Sequence, residues 1–233
     1  MNCWICKKNK ADSKEHLIKA SDIKNHFGEI SKERPLFQHT LNKTKRPKKI
    51  YARQNNRFKQ NNPTICSYCN NTKTQPFDNA WSRIFSYIQV NEDILTTIKV
   101  LELKNVFPSN TYKHAVELYL YLMKITGCYF SDNAVPINYN ILSKCIRESK
   151  CTDHFNVLFF CIDRVTDLTI TQIDELHDEN GQAEFAWCYF FNTMGVRMSI
   201  ESTPKQIDST PYMWNPQRRK NLPILIRPHS LYS

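Results

Sequence analysis

The sequence predicts an α+β protein in two parts, a small zinc-bound module at the N-terminal end followed by a larger helix-then-sheet body. Three observations support this: cysteine pairs at both ends of the first part, a change to helical apolar spacing near residue 80, and strand patterns beyond Cys151. The chain has 233 residues, 41% of them hydrophobic, and can bury a sizeable core. We expect the module to span residues 1–85 and the body residues 86–233.

Four of the nine cysteines form two Cys-x-x-Cys pairs, Cys3/Cys6 and Cys66/Cys69. Each two-residue spacer lets a pair of sulfurs grip one edge of a tetrahedron, so the pairs predict a structural Zn²⁺. A gap of 59 residues separates Cys6 from Cys66, which is far more than in a compact zinc ribbon. A large insertion must therefore lie inside the loop that the metal closes, and we place it at residues 24–60.

The positive charge of the chain is concentrated in its first third. Residues 1–80 hold 17 Lys/Arg against 6 Asp/Glu, whereas residues 81–233 hold 15 against 16. Within the insertion, residues 43–59 carry eight positive charges and no acid, which favours binding to phosphate backbones. A solvated loop is the alternative. The predicted nucleic-acid contacts are Lys45, Arg46, Lys48, Lys49, Arg53, Arg57 and Lys73.

Apolar spacing predicts the elements of the body. Trp81 to Ile88 follow helical spacing, Ile94 to Leu101 suggest a second helix, and Thr111 to Ile125 predict a largely buried helix that ends near Gly127. Beta-branched and aromatic runs then predict strands at residues 157–162, 185–191 and 196–200, with residues 192–195 as a hairpin loop between the last two. A short terminal strand is expected at residues 224–226.

The residues around the two cysteine pairs carry a resemblance to a known family. Glu15-His16 follows the first pair, Asn70 follows Cys69 directly, and the chain continues as Thr-Gln-Pro-Phe-Asp-Asn-Ala-Trp over residues 74–81. This pattern resembles the HNH endonuclease superfamily, in the branch whose ββα-metal fold is stapled by two cysteine pairs. The resemblance covers residues 3–85 and implies a zinc-stapled ββα-metal module.

The resemblance also implies roles for individual residues. His16 would be the general base that takes a proton from the attacking water. Glu15 and Asn70 would offer oxygen ligands to a catalytic Mg²⁺ or Mn²⁺, distinct from the structural zinc. Asn70 stands where many members have His, which disfavours transition metals there. The middle Asn of the motif is assigned to Asn61 on spacing, with the alternatives Asn55, Asn56 and Asn62.

These assignments predict a metal-dependent endonuclease that hydrolyses phosphodiester bonds, most simply in double-stranded DNA, in a restriction, anti-phage or mobile-element setting. The alternative is a zinc-dependent nucleic-acid-binding or partner-docking protein without catalysis. The body could supply a homodimer interface or a partner contact. Because no run of about 18 apolar residues occurs and the first residues lack the order of a secretory signal, we expect a cytoplasmic protein that does not enter membranes.

Overall fold

A computed structural model of the chain describes residues 1–31, 59–204 and 211–226, together with the backbone of two strands at residues 36–38 and 48–50. The side chains of residues 163–167 lie outside this description. The protein is an α+β protein, as the sequence predicts, with helices and a mixed sheet and with the four paired cysteines in its first 70 residues.

The helices occupy the first two thirds of the chain. The small N-terminal helix is α1, and a π-helical turn after the second cysteine pair leads into the long helix α2; α5 is the central helix. The bounds are α1 Ala20–Phe27, the π-helical turn Cys69–Lys73, α2 Gln75–Val90, α3 Glu92–Leu95, α4 Leu103–Val106, α5 Thr111–Asp132 and α6 Tyr139–Glu148.

The strands form two sheets. A two-stranded antiparallel pair lies in the insertion, and a five-stranded sheet in the order β3-β7-β4-β6-β5 forms the body, with β7 parallel to β4 and the other neighbours antiparallel. The bounds are β1 Leu36–Gln38, β2 Lys48–Ile50, β3 Val100–Leu101, β4 Phe155–Ile170, β5 Asp174–His177, β6 Ala183–Glu201 and β7 Leu222–Ile226.

The hairpin loop predicted at residues 192–195 is wrong, because β6 continues through it and pairs with β4 on both sides. Asn192 has a φ of 52°, which marks an irregularity in the strand rather than its end. Glu92 stabilises this irregularity, since its carboxylate accepts bonds from the Asn192 amide (2.7 Å) and the Thr193 backbone N–H (2.8 Å). Gly195 lies opposite Phe160, whose ring fills the space that a side chain at position 195 would need.

Two helix predictions also need correction. The expected second helix stops after one turn at Leu95, and residues 100–101 pair with β7 instead. The central helix α5 does not end near Gly127 but continues to Asp132. Gly127 serves a packing purpose there, because a methyl group on it would lie 2.6 Å from the Trp4 ring. The glycine thus lets the N-terminal module pack against α5. The strands predicted at residues 157–162 and 224–226 are confirmed within β4 and β7.

The module and the body share one continuous hydrophobic core. Trp4, Ile5 and Ile65 belong to the same buried cluster as the residues of α5 and of the sheet. The Ser143 hydroxyl on α6 donates to the Ile5 carbonyl (2.7 Å) and fixes the first cysteine loop against the body. None of the helices in the described part of the chain is long and apolar enough to cross a membrane.

We expect Gly127→Ala to destabilise the protein by about 1–3 kcal/mol, the usual cost of overpacking a core. Within a helix the same change ordinarily stabilises by about 0.5–1 kcal/mol, so the sign of the effect tests the contact with Trp4. Urea denaturation measures the free energy of unfolding. In a Trp4→Leu background the cost should shrink, because the clashing ring is gone; a gain in stability on the wild-type background would contradict the packing described.

Candidate zinc and catalytic site

The four paired cysteines come together as the sequence predicts. Their sulfur atoms all lie within 4.8 Å of one another, and the Cys6 and Cys66 sulfurs are 3.8 Å apart. A tetrahedron with zinc–sulfur bonds of about 2.3 Å has edges of about 3.8 Å, so the spacing fits Zn²⁺. This is the one group of potential metal-ligating side chains found among the described residues.

The pKa values of Cys6 and Cys69 are shifted in opposite directions by their surroundings. Burial raises the pKa of Cys6, but the backbone N–H groups of Asn9 and Lys8 outweigh it and bring the pKa to about 7. Burial and the neighbouring thiols raise the pKa of Cys69 strongly. Four thiolates at this distance repel one another unless a cation lies between them, and Zn²⁺ removes that conflict by binding all four. The site therefore fits a structural zinc.

His16 lies on a short arm, residues 13–16, which follows the first cysteine pair and pairs antiparallel with the segment that leads to the second pair. Ser13 bridges Ile65 and His16 bridges Lys59, so residues 13–16 run alongside residues 59–65. The Asn70 amide nitrogen donates to the Ser13 hydroxyl (2.9 Å), which ties the turn after Cys69 to the start of this arm. In chain order, α1 lies between these two bridged segments, and α2 follows the second cysteine pair.

His16 is half-buried and lies in a positive environment. Burial lowers its pKa, and the charges of Lys59 and Lys124 lower it further. A neutral imidazole has an unprotonated nitrogen, and a lowered pKa keeps it neutral at physiological pH. The electrostatics therefore keep His16 in the neutral form that a general base requires.

Glu15 points away from solvent and lies in an ion pair. It is 4% exposed, and its Oε2 lies 3.2 Å from the Nζ of Lys124, a residue of α5 with no exposed surface. The same Nζ lies 2.9 Å from the Asp78 carboxylate on α2. Burial lowers the pKa of Lys124, but the Glu15 and Asp78 carboxylates outweigh it and raise the pKa, which holds the ammonium form.

These neighbours make Glu15 a poor fit for a catalytic Mg²⁺ or Mn²⁺. A hard divalent cation needs several oxygen ligands, often carboxylates, whereas the Glu15 carboxylate is buried against an ammonium. The amide oxygen of Asn70 is a single neutral ligand. No group of three or more acidic, His or Cys side chains other than the four cysteines lies within ligating distance in the described residues.

The side chain of Asn61, the predicted middle Asn, contacts Asp132, while its backbone carbonyl accepts from the Lys14 ammonium of the arm that carries His16. The Asn61 backbone N–H and side-chain amide donate to the Asp132 carboxylate at 2.7 and 3.3 Å, and Asn62 binds the other carboxylate oxygen in the same way. These bonds anchor the chain to the end of α5. Asn55 and Asn56, the remaining alternatives, lie outside the described residues.

Gln60 ties the segment before the second cysteine pair to the arm that carries His16. Its side-chain oxygen accepts from the backbone N–H of Glu15 (2.8 Å), and its backbone N–H donates to the Glu15 carbonyl (3.1 Å). The Gln60 amide nitrogen also donates to the Thr64 hydroxyl (2.8 Å) and to the Cys128 carbonyl. Sequence reasoning missed Gln60 because the motif directs attention to asparagines.

Lys124 was also missed, although the sequence carries a signal for it. It is the one charged residue between Glu117 and Asp132, in an otherwise mostly apolar helix. A lone lysine in such a stretch is expected to find acidic partners, because an unpaired buried ammonium is very costly. What the sequence does not reveal is that those partners come from residues 15 and 78.

The predicted nucleic-acid contacts are only partly described. Lys73 lies half-buried in the π-helical turn, and Lys48 and Lys49 belong to β2, of which the backbone alone is described. The other predicted contacts, Lys45, Arg46, Arg53 and Arg57, lie outside the described residues. Lys59, at the end of the basic block, is exposed and bridges His16 across the arm.

A scan against protein-family profiles, a search of curated proteins and a search of solved structures each found no match for this chain. The resemblance to HNH endonucleases therefore depends on the sequence motifs of residues 3–85 alone.

We expect the purified protein to hold one zinc per chain through Cys3, Cys6, Cys66 and Cys69. Because thiolate ligation and folding are coupled, Cys66→Ser should release the metal and loosen the module. Elemental analysis with a thiol-free buffer measures the zinc content. Cys151→Ser, which removes a half-buried thiol outside the cluster, should retain the metal. Well-folded wild-type protein without bound zinc would rule out the assignment.

Proposed function

We propose that the chain is a zinc-stapled endonuclease of the HNH type, in which His16 acts as the general base for phosphodiester hydrolysis. The observation that carries the proposal is the position of His16: a half-buried imidazole with a lowered pKa, on an arm fixed between the two cysteine pairs. A base held in this way accepts the proton of an attacking water as the water forms its bond to phosphorus.

The charge around His16 supports a phosphate-bearing substrate. Lys59 is exposed beside it and is the last residue of the basic block, residues 43–59, which also includes β2. Cations near the base attract the phosphodiester and stabilise the charge that develops on its oxygens. Double-stranded DNA is the substrate we propose. The nicking assay below, with Mg²⁺, with Mn²⁺ and with chelator, tests the requirement for a divalent ion. Glu15 is a poor ligand for such an ion, because its carboxylate is buried against the Lys124 ammonium.

A second candidate is a zinc-dependent nucleic-acid-binding protein without catalysis. The closed ion pair between Glu15 and Lys124 favours it, because the acid beside the base is used for structure rather than held open. This candidate accounts for the cysteines and the basic residues but leaves the tuned environment of His16 without a purpose. In either case we propose that the body, residues 86–233, supports the module and offers the surface for a second copy or a partner protein.

We expect His16→Ala to lower plasmid nicking by about 100-fold to 10,000-fold, the usual contribution of a positioned general base. Zinc content and DNA affinity should be unchanged, because neither the thiolates nor the basic residues are altered. His177→Ala, which removes an exposed histidine of β5, is the matched control. Each protein is assayed with Mg²⁺, with Mn²⁺ and with chelator; full nicking by zinc-loaded His16→Ala would remove His16 from the mechanism.

The pH dependence of nicking follows from the same imidazole. Because burial and the nearby lysines lower the pKa of His16, the imidazole stays mostly neutral at pH values down to its ordinary pKa of about 6.5. We expect the rate to be constant from pH 8 down to about 6.5 and to fall only at lower pH, as His16 gains its proton. Zinc content is measured at each pH to separate this loss from protonation of the cysteines. A fall that begins above pH 7 would contradict the assigned base.

The basic block provides the next test. Replacing four of its lysines and arginines with glutamine should weaken DNA binding and reduce the slope of log affinity against log salt by about 0.9 per lost phosphate contact. The altered residues are Lys45, Arg46, Lys48 and Lys49. The matched control removes four exposed lysines of the body: Lys99, Lys104, Lys113 and Lys144. Equal slopes for the wild type and the first variant would show that the block is only solvated.

A further inference from the structure

The centre of the candidate site holds a buried cation of the chain itself. The Lys124 ammonium has no exposed surface and lies 2.9 Å from the Asp78 carboxylate and 3.2 Å from that of Glu15. The contact with Asp78 is also a hydrogen bond, whereas the contact with Glu15 is an ion pair without hydrogen-bond alignment. Two carboxylates from distant parts of the sequence thus converge on one positive charge, which is the arrangement that carboxylates make around a metal ion.

A second ammonium of the chain lies beside this ion pair. Lys19 adds a second ammonium, 3.7 Å from the other oxygen of Asp78, and also donates to the Ser82 hydroxyl and the Asp78 carbonyl at 2.9 Å. Glu15 and Asp78 therefore face two ammonium groups, and the buried Asp22 carboxylate also lies within electrostatic reach of Lys19. A divalent cation placed among them would add two positive charges beside Lys124 and Lys19, and their repulsion is strong where little water screens it.

We infer that the Lys124 ammonium takes the place of a divalent cation between Glu15 and Asp78, and that Glu15 is not a metal ligand in this protein. The carboxylate pair forms a permanently neutralised site. The inference concerns residues of the proposed nuclease site, but it is a statement about the binding of divalent cations and holds whether or not the protein cleaves DNA. Its failure and that of the proposed function are therefore distinguishable.

The first test measures Mn²⁺ binding to the zinc-loaded full chain by electron paramagnetic resonance. Glu15→Gln removes the charge of the carboxylate and keeps its shape. We expect an Mn²⁺ affinity within twofold of the wild type, and the same for the control Glu117→Gln, which alters a buried glutamate elsewhere. A loss of about tenfold or more in Glu15→Gln alone would show that Glu15 binds the ion and would overturn the inference.

The second test removes the resident cation. Lys124→Met leaves the Glu15 and Asp78 carboxylates facing each other without a charge between them, so the pair should now bind Mn²⁺ at least about tenfold more tightly than the wild type. Adding Glu15→Gln to this variant should abolish the gain. Folded Lys124→Met protein with wild-type affinity would contradict the inference. If Lys124→Met does not fold, the Glu15→Gln measurement decides alone.

Discussion

A fully buried ammonium in the middle of α5 is the constraint on which the arrangement of the module depends. Lys124 has no contact with solvent, so its charge must be met inside the protein. Glu15 comes from the arm beside the first cysteine pair and Asp78 from the start of α2. Leaving such a charge without its partners costs about 3–5 kcal/mol, so both segments are held against α5. The position of His16, next to Glu15, follows from this requirement.

The zinc site and the body stabilise each other through the same contacts. Trp4, between Cys3 and Cys6, packs on Gly127 of α5, while the Ile5 carbonyl accepts a bond from Ser143 of α6. A metal that fixes the first cysteine loop therefore also fixes one wall of the core. The C-terminal end of the long insertion is tied into the same structure, because Lys59 bridges His16 and the Gln60 side chain accepts from the Glu15 backbone N–H.

Local patterns in the sequence were enough to predict the cysteine cluster, the helix that became α2 and the strands of the body. They failed where a distant residue decides the backbone. The pattern Asn-Thr-Met-Gly is typical of a turn, yet Glu92 holds it as an irregular strand. Glycine is typical of a helix end, yet Gly127 lies inside α5, where the Trp4 ring leaves no room for a larger residue. The candidate site shows the same limit. His16 was identified from its neighbours in sequence, whereas Gln60 and Lys124 are distant in sequence and come close to Glu15 and His16 only in the folded protein.

The buried ion pair also changes the electrostatics that a nucleic acid would meet at His16. An uncompensated carboxylate beside the base would repel a phosphodiester and raise the pKa of the imidazole. Lys124 cancels the charge of Glu15 from inside the core, and Lys59 adds an exposed positive charge across the arm. Burial lowers the pKa of the imidazole, and the positive charges of Lys59 and Lys124 lower it further. These charges help to keep the imidazole neutral and would favour the approach of a negatively charged group.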